Sequence, residues 1–428
     1  MAVAIVALSS CSEYSYEKVK GDPLGTRIYT LDNGLKVYLS VNKEQPRIQT
    51  IISVRVGGKN DPAETTGLAH YFEHLMFKGT EQFGTSDYAA EKPLLDQIEA
   101  LFEVYRTTTD ETERAALYHK IDSISYLASD YFIPNEYDKL MSFLGSEGTN
   151  AFTSTDMTVY VEDIPSNQIE NWAKIQADRF SNAVIRGFHT ELETVYEEKN
   201  MSLTRDFEKA LETIDGVLFP DHPYGTQTVL GTQEHLKNPS IINIKNYYKK
   251  YYVPNNMAIC VSGDFNPDEM VAIIEKYFGR MQPNEDLSEL TLKTEFQLEA
   301  PVEKEVYGLD AEAIIMGWKY PGAASKDALI AEVAASVLYN GAAGLIDLNI
   351  NQQQKVLGAS GMSYPRPDAS ELIIMAYPKQ GQTLDEVREI MLEEVAKLRN
   401  GEFDEELLAG TVNNLRLAQM KSLESNAS

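Results

Sequence analysis

The stretch that decides the fold of this chain is residues 66–79, TGLAHYFEHLMFKG. Its large apolar residues fall on one side of a helical wheel and predict a buried helix face, formed by Leu68, Phe72 and Leu75. His70 and His74 are four residues apart, so their imidazoles project from the opposite face about one turn apart. Two neutral imidazoles in this arrangement can bind a single zinc ion.

Glu73 falls on the same polar side of the predicted helix. A glutamate beside a metal suits a general base that takes a proton from a zinc-bound water. The spacing His-x-x-Glu-His is the zinc-protease motif His-Glu-x-x-His in inverted order. The alternative is that these are structural or solvated histidines, which requires two of only 6 histidines to flank the glutamate by chance. We therefore predict a metal site on this helix, with Thr65 or Thr66 as its cap and Gly79 at its end.

Length and charge restrict the class of protein. The chain has 428 residues, enough for two domains, and 43% of them are hydrophobic, as in soluble globular proteins. Its formal net charge of −27 argues against nucleic-acid binding, which needs a basic surface. Two cysteines give no disulfide framework, and Cys260 in an apolar strand pattern is expected to be an inert core thiol.

The N-terminal segment 1–23 resembles an export signal followed by a polar tether. Residues 1–11 are a short apolar run that ends in Leu8-Ser9-Ser10-Cys11, which resembles a bacterial lipobox. A basic start is missing from this run. We expect an exported bacterial lipoprotein, anchored to a membrane through a lipid at Cys11, in the periplasm or at the cell surface.

The remaining pattern predicts an α+β fold of two α/β sandwich domains, each an antiparallel-rich sheet with helices packed on it. A hairpin around Asp32-Asn33-Gly34 opens the first domain, 24–220. Within it, helical spacing over about 88–140 predicts a helical insertion. Strand and helix patterns repeat in the second domain, 221–428. That domain ends inside an apparent helix without a final strand, so we expect it to be truncated at its C-terminus.

A catalytic zinc needs a third protein ligand beside the two histidines. An acidic helix over residues 191–201 offers two pairs of glutamates. Glu191 and Glu198 are seven residues apart, and Glu193 and Glu197 are four apart, so either pair shares one helix face. His189 lies nearby in the sequence and is a further candidate. The spacing alone does not decide between them.

Several of these features occur together and in order: the Asp32-Asn33-Gly34 hairpin, Gly57-Gly58, the His70-x-x-Glu73-His74 helix with Gly79-Thr80, the strand 150–153 and the helix 191–198. In this combination the chain resembles the insulinase–pitrilysin–mitochondrial processing peptidase family of zinc peptidases. The resemblance extends from Leu24 onward, and the segments 252–256 and 262–264 resemble the start of the family's second domain.

The resemblance implies one Zn²⁺ per chain, held by His70, His74 and Glu198, with Glu73 as the catalytic base. It assigns Glu191 a supporting role beside the ligands, where its charge would orient one of them. The family's edge strand binds the substrate backbone as an added strand, and it corresponds here to Asn150, Ala151, Phe152 and Thr153.

The resemblance therefore implies a zinc metalloendopeptidase that hydrolyses peptides or unfolded polypeptides. It also implies that this chain is one half-shell of a peptide-enclosing chamber, with a second homologous half fused to it or supplied by a partner chain. The alternative function is a non-catalytic or partner-dependent half that binds peptides. A metal-storage or sensor lipoprotein is disfavoured, because the chain has no His- or Cys-rich tract.

Overall fold

The computed structural model describes residues 14–288, 290–294 and 297–426. Cys11 and the predicted signal segment lie outside the described residues, so export and a lipid anchor remain predictions. Among the helices in the described ranges, none has both the length and the apolar character needed to cross a bilayer.

The described residues form a mixed α/β fold, and the predicted fold class is confirmed. The strands are β1 (Arg27–Thr30), β2 (Lys36–Val41), β3 (Arg47–Val54), β4 (Glu147–Thr153), β5 (Thr158–Pro165), β6 (Met257–Gly263), β7 (Ile314–Pro321), β8 (Gly358–Tyr364) and β9 (Ala369–Tyr377). The α-helices are α1 (Leu68–Leu75), α2 (Tyr88–Tyr105), α3 (Glu111–Ser129), α4 (Glu136–Phe143), α5 (Ile169–Ser181), α6 (Phe188–Ser202), α7 (Asp206–Leu218), α8 (Pro223–Thr226), α9 (Gln233–Lys237), α10 (Ile241–Tyr251), α11 (Pro267–Phe278), α12 (Lys326–Leu338), α13 (Leu384–Asn400) and α14 (Glu405–Ser422).

The chain divides into two compact units. Unit 1 takes in the described residues of Met1–Asn200, Gln227–Leu290 and Asn426–Ser428, and unit 2 takes in those of Met201–Thr226 and Thr291–Ser425. These bounds differ from the predicted division after residue 220. The physical reason is β6, which the sequence pattern assigned to the second domain but which pairs within the sheet of unit 1.

Unit 1 is built on a six-stranded sheet in the order β1-β2-β6-β3-β5-β4. The predicted hairpin is confirmed, because β1 and β2 pair antiparallel around the turn at Gly34, where φ is +86°. Only the β2–β6 pairing in this sheet is parallel, so the sheet is antiparallel-rich as expected. The predicted substrate strand lies in β4, at one end of the strand order.

Helix α1 buries the face that the sequence pattern predicts. Leu68, Phe72 and Leu75 are each at most 5% exposed. The ring of Phe72 packs against two tyrosines that flank the end of α10, with centroid distances of 5.2 Å to Tyr248 and 4.7 Å to Tyr252. These contacts fix the rotation of α1 and so determine which way its polar face points.

The predicted ends of α1 are wrong in detail. Its N-cap is Gly67, with φ of +86°, rather than Thr65 or Thr66. The buried carboxylate of Asp61 accepts hydrogen bonds from the backbone N–H groups of residues 67, 68 and 69 at 2.8, 3.1 and 3.0 Å. A side chain from the preceding loop therefore satisfies the first N–H groups of the helix. The helix ends at Leu75, before Gly79.

The predicted helical insertion corresponds to α2, α3 and the start of α4. A buried ion pair ties α2 to the rest of unit 1, because the Arg186 guanidinium donates to both oxygens of Glu91 at 2.8 and 2.9 Å. Both side chains are at most 1% exposed. Arg186 also donates to the backbone carbonyls of Lys78 and Thr80, at 3.0 and 2.9 Å. The segment after α1 is thereby fixed to the insertion.

Unit 2 contains the three-stranded antiparallel sheet β7-β9-β8. Its apolar core includes Ile346, Ile374 and Met391, each 0% exposed. Helix α13 opens with a capping box, in which Thr383 and Glu386 satisfy each other's backbone N–H groups.

Candidate metal centre

Helices α1 and α6 bring three potential ligands together. The Nε2 atoms of His70 and His74 are 3.2 Å apart. Oε2 of Glu198 lies 3.4 Å from Nε2 of His70 and 3.5 Å from Nε2 of His74. Within the described residues this is the one group of three His, Cys, Asp or Glu side chains whose ligand atoms are close enough to share an ion.

The size of this triangle fits zinc. Tetrahedral coordination with bonds of about 2.0–2.1 Å places neighbouring ligand atoms about 3.3 Å apart. The three observed distances of 3.2, 3.4 and 3.5 Å bracket that value. Two imidazole nitrogens and one carboxylate oxygen are also a donor set of catalytic zinc sites, which keep the fourth position open.

The candidates that spacing left open are now separated. Glu193 and Glu197 are exposed on α6 and do not join the triangle. His189 lies with Nε2 3.8 Å from Asp122 and 3.9 Å from Glu193, also away from the other two histidines. The packing of α6 against α1 therefore places Glu198, rather than these residues, beside His70 and His74.

Glu191, to which the resemblance assigns a supporting role, contacts His74. Its Oε1 lies 2.7 Å from Nδ1 of His74. A carboxylate there fixes the proton on Nδ1 and leaves the Nε2 lone pair directed at the triangle. Its other oxygen, Oε2, lies 2.5 Å from Nζ of Lys78, a residue that the sequence analysis did not single out.

The two histidines have different electrostatic environments. Burial, followed by the charge of His74, lowers the pKa of His70 to about 4, so this imidazole is neutral at neutral pH. Burial alone would lower the pKa of His74, but the hydrogen bond to Glu191 and the charge of Glu198 raise it above its ordinary value. The deprotonated nitrogen is the form that binds a metal ion, so zinc affinity should fall at low pH.

Glu73 is buried beside the triangle. Burial raises the pKa of Glu73, and the hydrogen bond from Thr153 opposes that rise. Oγ1 of Thr153 donates to Oε2 of Glu73 at 2.6 Å. Thr153 was predicted only as part of the substrate strand, and the sequence analysis missed its hydrogen bond to Glu73. No local sequence spacing could have revealed it, because the two residues are 80 positions apart.

The predicted substrate strand lies next to these groups. Asn150 and Phe152 are exposed on β4, whereas Ala151 and Thr153 are half-buried. β4 pairs with β5 on one side and ends the sheet order on the other. An edge strand has unpaired backbone groups that can accept an added strand.

The C-terminal end of α1 is held by a residue that the sequence analysis did not single out. Nε of Arg179, a 1% exposed residue on α5, donates to the carbonyl of Met76 at 2.9 Å. Its guanidinium lies 4.5, 4.2 and 4.7 Å from the ring centroids of Phe77, Tyr137 and Tyr160. A cation near the last carbonyls of a helix is stabilising, and here it anchors the end that carries Glu73 and His74.

Comparison with known proteins gives two matches to models of one peptidase family. Residues 36–95, which contain the histidine motif, match "Insulinase (Peptidase family M16)". Residues 242–415 match "Peptidase M16 inactive domain". The two regions together cover more than half of the chain.

Individual relatives are distant in sequence. A zinc protease of Helicobacter pylori is 21% identical over 93% of this chain and 80% of its own length. The crystal structure of a protease from Helicobacter pylori superposes with a TM-score of 0.75 at 20% identity, over 94% of this chain and 86% of that one. Pitrilysin superposes with a TM-score of 0.62 at 18% identity, over 95% of this chain but 39% of its own.

The matched segment is shorter than most of these proteins. It spans less than half of the length of three other curated relatives: 46% of a probable mitochondrial-processing peptidase beta subunit of Schizosaccharomyces pombe, 49% of an uncharacterized zinc protease of Mycobacterium leprae and 39% of a probable mitochondrial-processing peptidase beta subunit of Arabidopsis thaliana. The two family matches and the shared fold nevertheless agree with each other. The chain belongs to the insulinase family of peptidases, family M16.

Proposed function

We propose that this chain is a zinc-dependent endopeptidase that hydrolyses peptides or unfolded polypeptides. The observation that carries the proposal is the ligand triangle of His70, His74 and Glu198, with edges of 3.2–3.5 Å, beside the buried Glu73. The name of the Helicobacter pylori relative, a zinc protease, supports the same chemistry. One Zn²⁺ per chain would be held by these three residues.

Each residue has a defined task in this proposal. A zinc ion bound there would act as a Lewis acid, lowering the pKa of water and polarising the peptide carbonyl. Glu73 takes the proton of the attacking water and delivers it to the leaving amine, and its raised pKa suits a group that both accepts and donates a proton. Glu191 holds the ring of His74 in the required orientation. The exposed edge of β4 binds the peptide backbone, through Asn150 to Thr153.

Glu73→Gln tests the proposal. The amide keeps the shape of the side chain but accepts no proton, so we expect peptide hydrolysis to fall by about 10²–10⁴-fold. The zinc content, measured by atomic emission, should remain one per chain because Glu73 is not among the three ligands. Glu193→Gln, an exposed glutamate on α6, is the matched control and should keep parental activity. Turnover near the parental rate in the Glu73 variant would refute the assignment of the base.

The alternative is a half that binds peptides and cleaves them only with a second homologous half. The support for it is that the chain aligns with 39% of the length of pitrilysin. Cleavage of a fluorogenic peptide by this chain, alone and mixed with a homologous second half, separates the two. Activity of the chain alone favours the first proposal, and activity of the mixture only favours the second.

A further inference from the structure

We infer that Lys78 is a positioning residue of the metal centre, acting through Glu191 on His74. The inference rests on the proposed zinc site and adds a residue to it. Three groups form a continuous chain of contacts: Nζ of Lys78 to Oε2 of Glu191 at 2.5 Å, and Oε1 of Glu191 to Nδ1 of His74 at 2.7 Å. The remaining ring nitrogen of His74 belongs to the ligand triangle.

Glu191 needs the lysine to keep this orientation. Its side chain is 12% exposed, so water can satisfy little of the carboxylate. A buried carboxylate oxygen without a donor is costly, and a side chain in that state rotates towards any available donor. Among the described residues, Lys78 is the one lysine or arginine that forms an ion pair with Oε2. It thereby holds the other oxygen on His74.

The backbone of Lys78 is itself fixed. Its N–H donates to the carbonyl of Leu75 at 3.0 Å, and its own carbonyl accepts from Arg186 at 3.0 Å. Arg186 is anchored in turn by the buried Glu91 of the helical insertion. The ammonium therefore reaches Glu191 from a rigid support, as an orienting group requires.

The two histidines differ in whether a side chain holds the ring. Nδ1 of His70 is buried and has no hydrogen-bond partner among the described residues. His74 is thus the ligand whose ring orientation depends on a side-chain contact. Removing the lysine should affect metal affinity through His74 alone, with His70 and Glu198 still in place. We expect a partial loss of affinity rather than its abolition.

The test compares Lys78→Met, Lys78→Arg and Lys92→Met. Zinc affinity is measured by competition with a chromophoric chelator. Methionine removes the charge and keeps the chain length, so we expect about 10–100-fold weaker zinc binding. Arginine restores a cationic donor and should recover most of the affinity. Lys92 pairs with Asp96 on the exposed side of α2, and its variant should bind zinc like the parent.

The kinetic readout separates positioning from a general structural role. Peptide cleavage by Lys78→Met should fall far more at limiting zinc than at saturating zinc, with KM changed little. A merely structural defect would also lower cleavage at saturating zinc and would not be corrected by arginine. Unchanged zinc affinity in Lys78→Met, or equal loss in the arginine variant, would overturn the inference.

A second variant keeps the inference testable if Lys78→Met does not fold. Lys78→Gln retains a neutral donor for Oε2 of Glu191, and we expect a loss of roughly threefold, between parent and methionine. Affinity equal to that of the parent would then refute a role for the charge. If the parent itself binds no zinc, the proposed function and this inference both fail, whereas a parent that binds zinc beside a Lys78 variant of equal affinity refutes this inference alone.

Discussion

At the scale of single residues, the hydroxyl of Thr153 joins the edge strand β4 to the candidate base. It donates to Glu73 at 2.6 Å, and this hydrogen bond favours the charged carboxylate over the neutral acid. A strand that binds substrate and also restrains the base would place both relative to the metal. Thr153 thus has a contact in the site that does not depend on its backbone.

Thr153→Val should impair the base without disturbing the strand. Valine keeps the branched shape and loses the donor, so the pKa of Glu73 rises. The base must be ionised to act, and the acidic limb of the kcat/KM profile therefore shifts to higher pH, by about one pH unit for the loss of one hydrogen bond to a charged group. The measurement is the pH–rate profile. Thr153→Ser, which keeps the hydroxyl, is the control, and identical profiles for the two variants would contradict the role.

The residues that sequence spacing could assign are those on one helix. His70, Glu73 and His74 share a face of α1 because helical periodicity alone puts them there. The choice of Glu198 over Glu193 and Glu197 depends on how α6 packs against α1, which spacing does not encode. Family resemblance supplied that residue, and the ligand distances agree with it.

The contacts that were missed share a physical cause. Each of these contacts crosses a loop or joins two elements. They are the contacts of Asp61 with the backbone of α1, of Lys78 with Glu191, and of Arg179 with the carbonyl of Met76. Their partners become neighbours only after the chain folds. Threonine at a cap position is a good local signal, but the carboxylate of Asp61, in the loop before the helix, takes its place.

At the scale of elements, strand β9 of unit 2 carries a buried acid. Glu371 is 5% exposed, with Oε1 3.3 Å from Nη2 of Arg366, and Arg366 also pairs with Asp215 at 2.7 Å. Burial, reinforced by the charge of Asp215, raises the pKa of Glu371 to about 7, and Arg366 only partly opposes this. One guanidinium is shared by two carboxylates.

This arrangement predicts a pH dependence of stability. An unfolded glutamate titrates near 4.5, so the folded protein binds an extra proton between about pH 4.5 and 7. The contribution of this proton to the free energy of unfolding is complete below pH 4.5 and is lost as the pH rises through 7. The loss is at most about 3 kcal/mol. Glu371→Gln should abolish this part of the decline in the free energy of unfolding with pH, measured by denaturant unfolding. Glu389→Gln, at an exposed position, should leave the decline unchanged, and an equal effect of both would contradict the assignment.

At the scale of the whole molecule, the candidate metal ligands all belong to one unit. His70, His74 and Glu198 lie in unit 1, and the family match over residues 242–415 carries the description of an inactive domain. Ligand binding stabilises only the folded state that binds it. Zinc should therefore stabilise unit 1 and leave unit 2 unaffected.

Calorimetry with and without a chelator tests whether zinc stabilises unit 1 alone. Free zinc at 100 times its dissociation constant adds about 2.7 kcal/mol to the free energy of unfolding of unit 1. This corresponds to an increase of about 5–10 °C in its unfolding temperature. The transition of unit 2 should not move. His70→Ala, which lacks a ligand, should show no chelator effect. A chelator-dependent shift confined to unit 2 would contradict the site.

The position of β6 between β2 and β3 also sets an order of events on the ribosome. All three candidate ligands have been translated once residue 198 is made, but the strand that joins the two parts of their sheet ends only at Gly263. Until then, the facing edges of β2 and β3 are unpaired and open to other strands. Nascent chains shorter than about 260 residues should thus depend most on chaperones and be the most sensitive to protease.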